Sequence, residues 1–172
     1  DKIMPKTKNQ AIVFGILMSF FMALGMEVYN VSIQMGYNLT FGLGYSSITY
    51  AVFAKALKES VFMSIIVFIV SNIIGNKAGA AFMEKYCDIT KDNPYFCRIM
   101  RQAGTVAVMC PTMSLIASVI FQIILGKQSV VMLPAIWIGT VIKNFPMAFF
   151  WNMFAAAPFV HWIFEKYNNK SY

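Results

Sequence analysis

Four long apolar runs decide what this chain can become. A helix that crosses a bilayer needs about 20 mostly apolar residues, and runs of that kind occupy residues 11–31, 60–81, 104–125 and 145–164. Lipid offers no partner to a backbone N–H or C=O, so each run must satisfy its own backbone as a helix. Composition removes the soluble alternative. The 172 residues are 59% hydrophobic and 12% charged, whereas soluble domains carry roughly a quarter of their residues charged. The length allows one compact unit and leaves no room for a separate soluble domain beside the spans.

The first run follows Met4-Pro5-Lys6-Thr7-Lys8-Asn9-Gln10 directly. It is too long for a cleavable signal, and no small-residue cleavage site follows it, so it is expected to remain as a span. Residues 37–58 are too polar at their start and too amphipathic at their end for a span, and residues 128–143 are short and contain Pro134 and Gly139. Both are expected to be helices at the outer surface, or re-entering slightly. If both crossed, the protein would have six spans. Gly36, Gly42 and Gly44 mark a loop before the first. Lys58-Glu59 and Lys143-Asn144-Phe145-Pro146 mark where the chain turns into the membrane. Pro146 suits the first turn of a helix.

Orientation follows from Lys and Arg. Ten of them (Lys2, Lys6, Lys8, Lys77, Lys85, Lys91, Arg98, Arg101, Lys166 and Lys170) fall on one side, against Lys55, Lys58, Lys127 and Lys143 on the other. The positive-inside rule then places both termini in the cytoplasm, as in a bacterial inner-membrane protein. The net charge of +7 is read the same way, because no basic groove for nucleic acid is laid out. The linker holding Cys87 and Cys97 falls in the cytoplasm, where thiols stay reduced. No disulfide is expected from the three cysteines. No third Cys or nearby His completes a metal site with that pair, and Cys110 reads as a small hydrophobe within a span. Neither a metal nor a cofactor is expected.

The halves echo each other. Met18-Ser19, Ala23 and Glu27 in the first span recur as Met113-Ser114, Ser118 and Gln122 in the third, at the same spacing. Phe82-Met83-Glu84-Lys85-Tyr86 closes the second span, and Ile163-Phe164-Glu165-Lys166-Tyr167 closes the fourth. Lys58-Glu59 resembles Lys143-Asn144, and Gln10-Ala11 matches Gln102-Ala103. The expected architecture is an all-α integral membrane protein of four transmembrane helices. Two parallel-topology repeats of a helix pair make it up, each with an extra outer-surface helix. Residues 4–86 form the first repeat, 87–101 a cytoplasmic linker and 102–172 the second repeat.

Met4-Pro5-Lys6-Thr7-Lys8-Asn9-Gln10, the Met-Ser pairs and Asn144-Phe145-Pro146 resemble a family of small bacterial membrane proteins known only as a domain of unknown function. The resemblance implies a duplicated two-helix unit and no activity. In outline the chain is also similar to transmembrane-pair efflux proteins, with four spans, two repeats and an acid in the first span. It departs from them in lacking their Arg-and-His motif near that span, since its single His is His161.

Glu27 is the one acidic residue within these four runs. It falls roughly 25 Å along the first run, where a carboxylate costs several kcal/mol unless paired, hydrated or protonated. Ser19, Ala23, Glu27, Asn30 and Gln34 share one helix face, and Ala107, Pro111, Ser114, Ser118 and Gln122 share the equivalent face. The candidate substrate and proton site is therefore Glu27 and Gln122 with Ser19, Asn30, Ser114 and Ser118. Asn72, Asn152 and Trp151 would complete its wall, and Lys58, Glu59, Lys143 and Asn144 would form its outer mouth. Glu27 would exchange a proton as substrate comes and goes. The plainer reading pairs Glu27 with Lys55, Lys58 or Lys143 near the interface, where it would only fix helix positions. Met18, Met22 and Met26 read as packing rather than a copper(I) stripe.

No nucleophile–base pair, phosphate loop or metal cluster stands out, so enzyme activity is not expected. The functional expectation is a small transporter, proton-coupled, exporting a small amphipathic or cationic solute. Membrane lipids and that solute are its expected partners, with homodimer formation suggested by the thin wall four spans provide. The alternative is a non-transporting accessory module, or one that binds lipid or another hydrophobe.

Overall fold

The structure is a computed structural model describing residues 7–35 and 49–168. Apart from short turns, the described chain is helical. Four helices are long and apolar enough to cross a membrane: α1 (Lys8–Gln34), α2 (Tyr50–Tyr86), α3 (Pro94–Ile124) and α4 (Val130–Tyr167). This makes the chain a multi-pass membrane protein. The expected loop at Gly36, Gly42 and Gly44, and residues 37–48 around it, lie outside the described residues.

Local chemistry starts the helices. Thr7 caps α1 with a reciprocal pair: Gln10 N donates to Thr7 Oγ1 at 3.2 Å and Thr7 N donates to Gln10 Oε1 at 3.3 Å. Asn93 caps α3 through Tyr95 N at 2.8 Å, and Pro94 follows it where a missing N–H costs nothing. Lys127 closes the turn after α3 at φ 52°.

The two expected surface helices are not separate. Residues 50–58 form the first turns of α2, and residues 130–143 the first turns of α4. From Tyr50 to Val70 there is neither Gly nor Pro. Ala51, Ala54, Ala56, Leu57 and Glu59 all favour helix, so nothing breaks the chain at Lys58-Glu59. Pro134 starts the main part of α4, and Pro146 lies inside it rather than at its first turn. A single proline removes one ladder bond, which costs less than ending a helix in an apolar medium.

Short stretches of these helices wind with π geometry, at Ser71–Gly75 in α2, Ser118–Ile124 in α3 and Asn152–Ala156 in α4. Asn76 N donates to Ser71 O, and Leu125 N donates to Ile120 O at 3.0 Å, each five residues back.

The helices pack as two compact units, residues 1–68 with 154–172, and residues 69–153. In the first unit, α1 buries Ser19, Ala23, Glu27 and Val31 at four-residue spacing. Phe14 meets His161 and Phe164 of α4 at 5.0 and 5.4 Å, and Phe21 meets Phe159 at 4.8 Å. Val31 packs with Val52 and Ala56 of α2. In the second unit, α2 lies against α3 through glycines. A Cβ on Gly104 would meet the Phe82 side chain and come within 3.2 Å of Ala78 O, and one on Gly79 would meet Thr105 and Arg101 O at 2.8 Å. Trp137 of α4 donates Nε1–H to Pro111 O at 2.9 Å.

The α2–α3 loop corrects the cysteine expectation. Cys87 and Cys97 are bonded, with Cα atoms 5.5 Å apart. The tight hairpin brings the end of α2 to the first turn of α3. Asp88 orders it by accepting from Thr90 N at 3.0 Å and Thr90 Oγ1 at 2.6 Å. These bonds hold the Asp88 carboxyl below the ordinary carboxylate range.

Two outcomes follow from this packing. Gly104→Val should destabilise the solubilised protein by about 2–3 kcal/mol, read as a lower thermal unfolding midpoint, because Phe82 and backbone stand where the side chain must go. Because the folded Asp88 carboxyl titrates low, its contribution to loop order is present above an unfolded value of about 3.9 and is lost as pH falls through the lower folded value. Thr90→Val should therefore move the Asp88 titration, followed by carboxyl NMR, back toward that value.

Candidate functional site

Glu27 lies on the buried stripe of α1, roughly 10 Å before the helix ends at Gln34. Its residue is 8% exposed. Glu59 of α2 lies within hydrogen-bonding reach of it, and Lys55 is the nearby cation. Lys55 Nζ is 3.9 Å from Glu59 and donates to Gln34 Oε1 at 3.5 Å. Helix spacing builds this group. Lys55 and Glu59 are one turn apart on α2, and Glu27 and Gln34 are two turns apart on α1. On the same two helices Val31, Val52 and Ala56 form a buried apolar cluster with Val28 packed against it, and the fully buried Ser60 turns its hydroxyl back to Leu57 O at 2.8 Å.

Charge counting defines what the cluster can do. Two carboxyls face one ammonium, so full ionisation leaves a net negative charge in a largely buried setting. The Lys55 side chain is 47% exposed and that of Glu59 20%, so their bridge contributes at most about 1 kcal/mol. A carboxylate at the centre of a span costs about 2.5–3.5 kcal/mol; Glu27 stands nearer the end of its helix. The bridge engages Glu59 rather than Glu27, so it does not itself neutralise the buried carboxyl.

The sequence placed Glu27 and Glu59 in different groups, one in the site and one at its mouth, and the structure brings them together. The signal was available: Lys55 and Glu59 are four residues apart at the start of the helix that returns beside α1. Of the other expected residues, Ser19 is buried on the Glu27 stripe, and Asn30 is half-buried with Nδ2 donating to Met26 O at 3.0 Å. Lys58 is exposed on α2.

The remaining candidates belong to the second unit. Ser114 and Ser118 are buried, with Ser118 Oγ donating to Ser114 O at 2.7 Å. Gln122 is half-buried in the π stretch, and its carbonyl accepts from Gln128 N at 3.0 Å across the turn. Asn72 is exposed and accepts from Asn76 Nδ2 at 3.5 Å. Trp151 is half-buried, and Asn152 is buried at the start of the α4 π turn. Lys143 and Asn144 lie roughly 20 Å along α4. Asn144 is buried, and its amide oxygen meets no donor among the described residues. Trp137, which closes on Pro111, was not singled out; a proline within the third run was its only hint. Among the described residues no group of three or more His, Cys, Asp or Glu could hold a metal ion.

A double-substitution cycle separates a stabilising bridge from a charged site. Lys55→Met and Glu59→Gln, singly and together, should couple by less than about 1 kcal/mol in thermal unfolding. A coupling of several kcal/mol would make the cluster a structural clasp.

No curated protein and no solved structure matches the chain. Residues 101–168, which take in most of α3 and all of α4, match the family described as Domain of unknown function (DUF2798), in keeping with the resemblance drawn from the sequence.

Proposed function

We propose that this chain is a small transporter of the bacterial inner membrane, with both termini in the cytoplasm. It would export a small amphipathic or cationic solute in exchange for protons. The observation that carries this reading is the buried Glu27 with Glu59 beside it and a single, half-exposed Lys55 as counter-charge. In a proton-coupled cycle, a proton and a cationic solute take turns balancing the carboxyl pair. Intramembrane acids are functional by default, because their cost must be offset by a use.

The repeat belongs to the same proposal. The π turns of α2 and α4 end at Gly75 and Ala156, each eleven residues before the Tyr of the matching Glu-Lys-Tyr motif (86 − 75 and 167 − 156). An irregularity at equivalent positions supports duplication from one helix pair. In this reading Ser114, Ser118 and Gln122 are the repeat-related counterparts of Ser19, Ala23 and Glu27. Such π turns accompany functional sites.

A second reading rests on how little the spans cover one another. Only 6% of the apolar window of α4 and 11% of that of α2 is buried. Lipid, a second copy or another subunit must cover the rest, which suits an accessory or lipid-binding module and also a homodimer of transporters.

Reconstituted vesicles distinguish the readings, with ethidium as probe cation and a pH-sensitive dye inside. The wild type should move ethidium against a proton gradient, and Glu27→Gln should reduce that flux roughly tenfold or more while thermal unfolding stays cooperative. Undiminished flux in Glu27→Gln would remove Glu27 from the mechanism. A wild type that moves no ethidium but co-purifies with a stoichiometric subunit or lipid would favour the accessory module.

A further inference from the structure

The α2–α3 hairpin holds two cysteines, bonded in this structure, that the proposed transport cycle leaves unused. Cys87 caps the end of α2, and Cys97 lies in the first turn of α3, where its N–H donates to Asn93 O at 3.2 Å. Their Cα atoms are 5.5 Å apart, within the range a disulfide bridges, and both residues are buried. The loop is ordered by its own bonds: Asp88 N donates to Asp92 Oδ2 at 2.8 Å, Thr90 binds Asp88, and Asn93 caps α3. The sulfurs are therefore held together by the backbone between them.

The same hairpin carries Lys77, Lys85, Lys91, Arg98 and Arg101, the charge bias that marks a cytoplasmic segment. A permanent disulfide does not fit that compartment, where thiols are kept reduced. A preformed pair that closes when the surroundings turn oxidising does fit. We propose that Cys87 and Cys97 form a redox-responsive pair that staples α2 to α3, oxidised by a low-molecular-weight disulfide. The proposal rests on the cytoplasmic orientation given above.

The chemistry balances with that oxidant alone. One cysteine thiolate attacks a sulfur of the small disulfide, forming a mixed disulfide and releasing one small thiolate. The second cysteine thiolate then displaces the other small thiolate and forms the Cys87–Cys97 bond. Two electrons pass from the cysteines to the oxidant, and its two thiolates take up the two protons. The bond lies at the open end of the glycine contact in which Gly79 and Gly104 face α3 and α2, so closure locks that contact. Cys110 lies thirteen residues beyond Cys97 (110 − 97), roughly 20 Å along α3. It is out of reach of the pair and serves as an internal reference.

The experiment uses the full chain in native membranes equilibrated with graded ratios of reduced to oxidised glutathione. Samples are quenched in acid, denatured, alkylated with a maleimide and weighed by mass spectrometry. At reducing ratios all three cysteines should carry label. At oxidising ratios only Cys110 should carry it, with the protein still monomeric on a non-reducing gel. Cys87→Ser should leave Cys97 either labelled or carrying one glutathione, told apart by mass, and never bonded within the chain, and the oxidised wild type should unfold roughly 5 °C higher than the reduced. Three labels at every ratio, or one label even at the most reducing ratio, would overturn the proposal. A separate arm tests orientation. Thr90→Cys in a Cys87→Ser, Cys97→Ser background is exposed to a membrane-impermeant maleimide. Labelling in inverted vesicles alone supports the cytoplasmic loop. Labelling in right-side-out vesicles makes the staple a structural bond of the oxidising face and overturns both the orientation and the switch, whereas a failure confined to the glutathione series overturns the switch alone.

Discussion

Backbone groups that lipid cannot satisfy govern this structure. Every N–H and C=O in the apolar layer must find its partner within its own helix, because no water is available and an unpaired group costs several kcal/mol. This is why α2 and α4 run through Lys58-Glu59 and Pro146 where the polarity of the sequence invited a break. A break would free up to four donors or acceptors at each new end, whereas Pro146 sacrifices one. The π turns obey the same constraint. They shift the ladder by one residue and keep it closed, so the helices reorient side chains without exposing backbone.

With the backbone committed to helices, packing falls to small residues, since lipid gives apolar side chains no reason to prefer one another. Gly79 and Gly104 let α2 and α3 approach until side chain and backbone touch. α1 offers Ser19 and Ala23 on the same stripe as Glu27, so a face that admits close approach also carries the one acid buried in a span among the described residues. Close approach excludes lipid and water alike, which raises the cost of any charge left there. Glu27 is therefore better understood with Glu59 and Lys55 than alone. The group shares charge between two helices, and the excess negative charge is the feature a proton or cation would answer.

Much of this was legible in the sequence, and for identifiable reasons. Spans are long and compositionally uniform, so their existence and number followed from apolar run length. The stripe bearing Glu27 followed from helical periodicity. The surface helices were misjudged because polarity was taken to end a span, whereas continuity of the hydrogen-bond ladder decided. The pairing of Cys87 with Cys97 was missed because compartment was taken to settle it, whereas the two are brought together by a hairpin whose tightness depends on Asp88, Thr90 and Asn93 acting jointly.

The sequence by itself determined that the chain lives in a membrane, that it does so as helices, and that one of them carries an acid on a small-residue face. Those properties follow from composition and from the 3.6-residue period, which act residue by residue. Only the tertiary structure decided that Glu59 rather than a remote residue stands beside Glu27, that Lys55 is shared between Glu59 and Gln34, and that Asn144 is buried within a long helix instead of ending a surface one. Those outcomes depend on the register between helices, which is set by where side chains interlock across the gap and is not written in either helix alone.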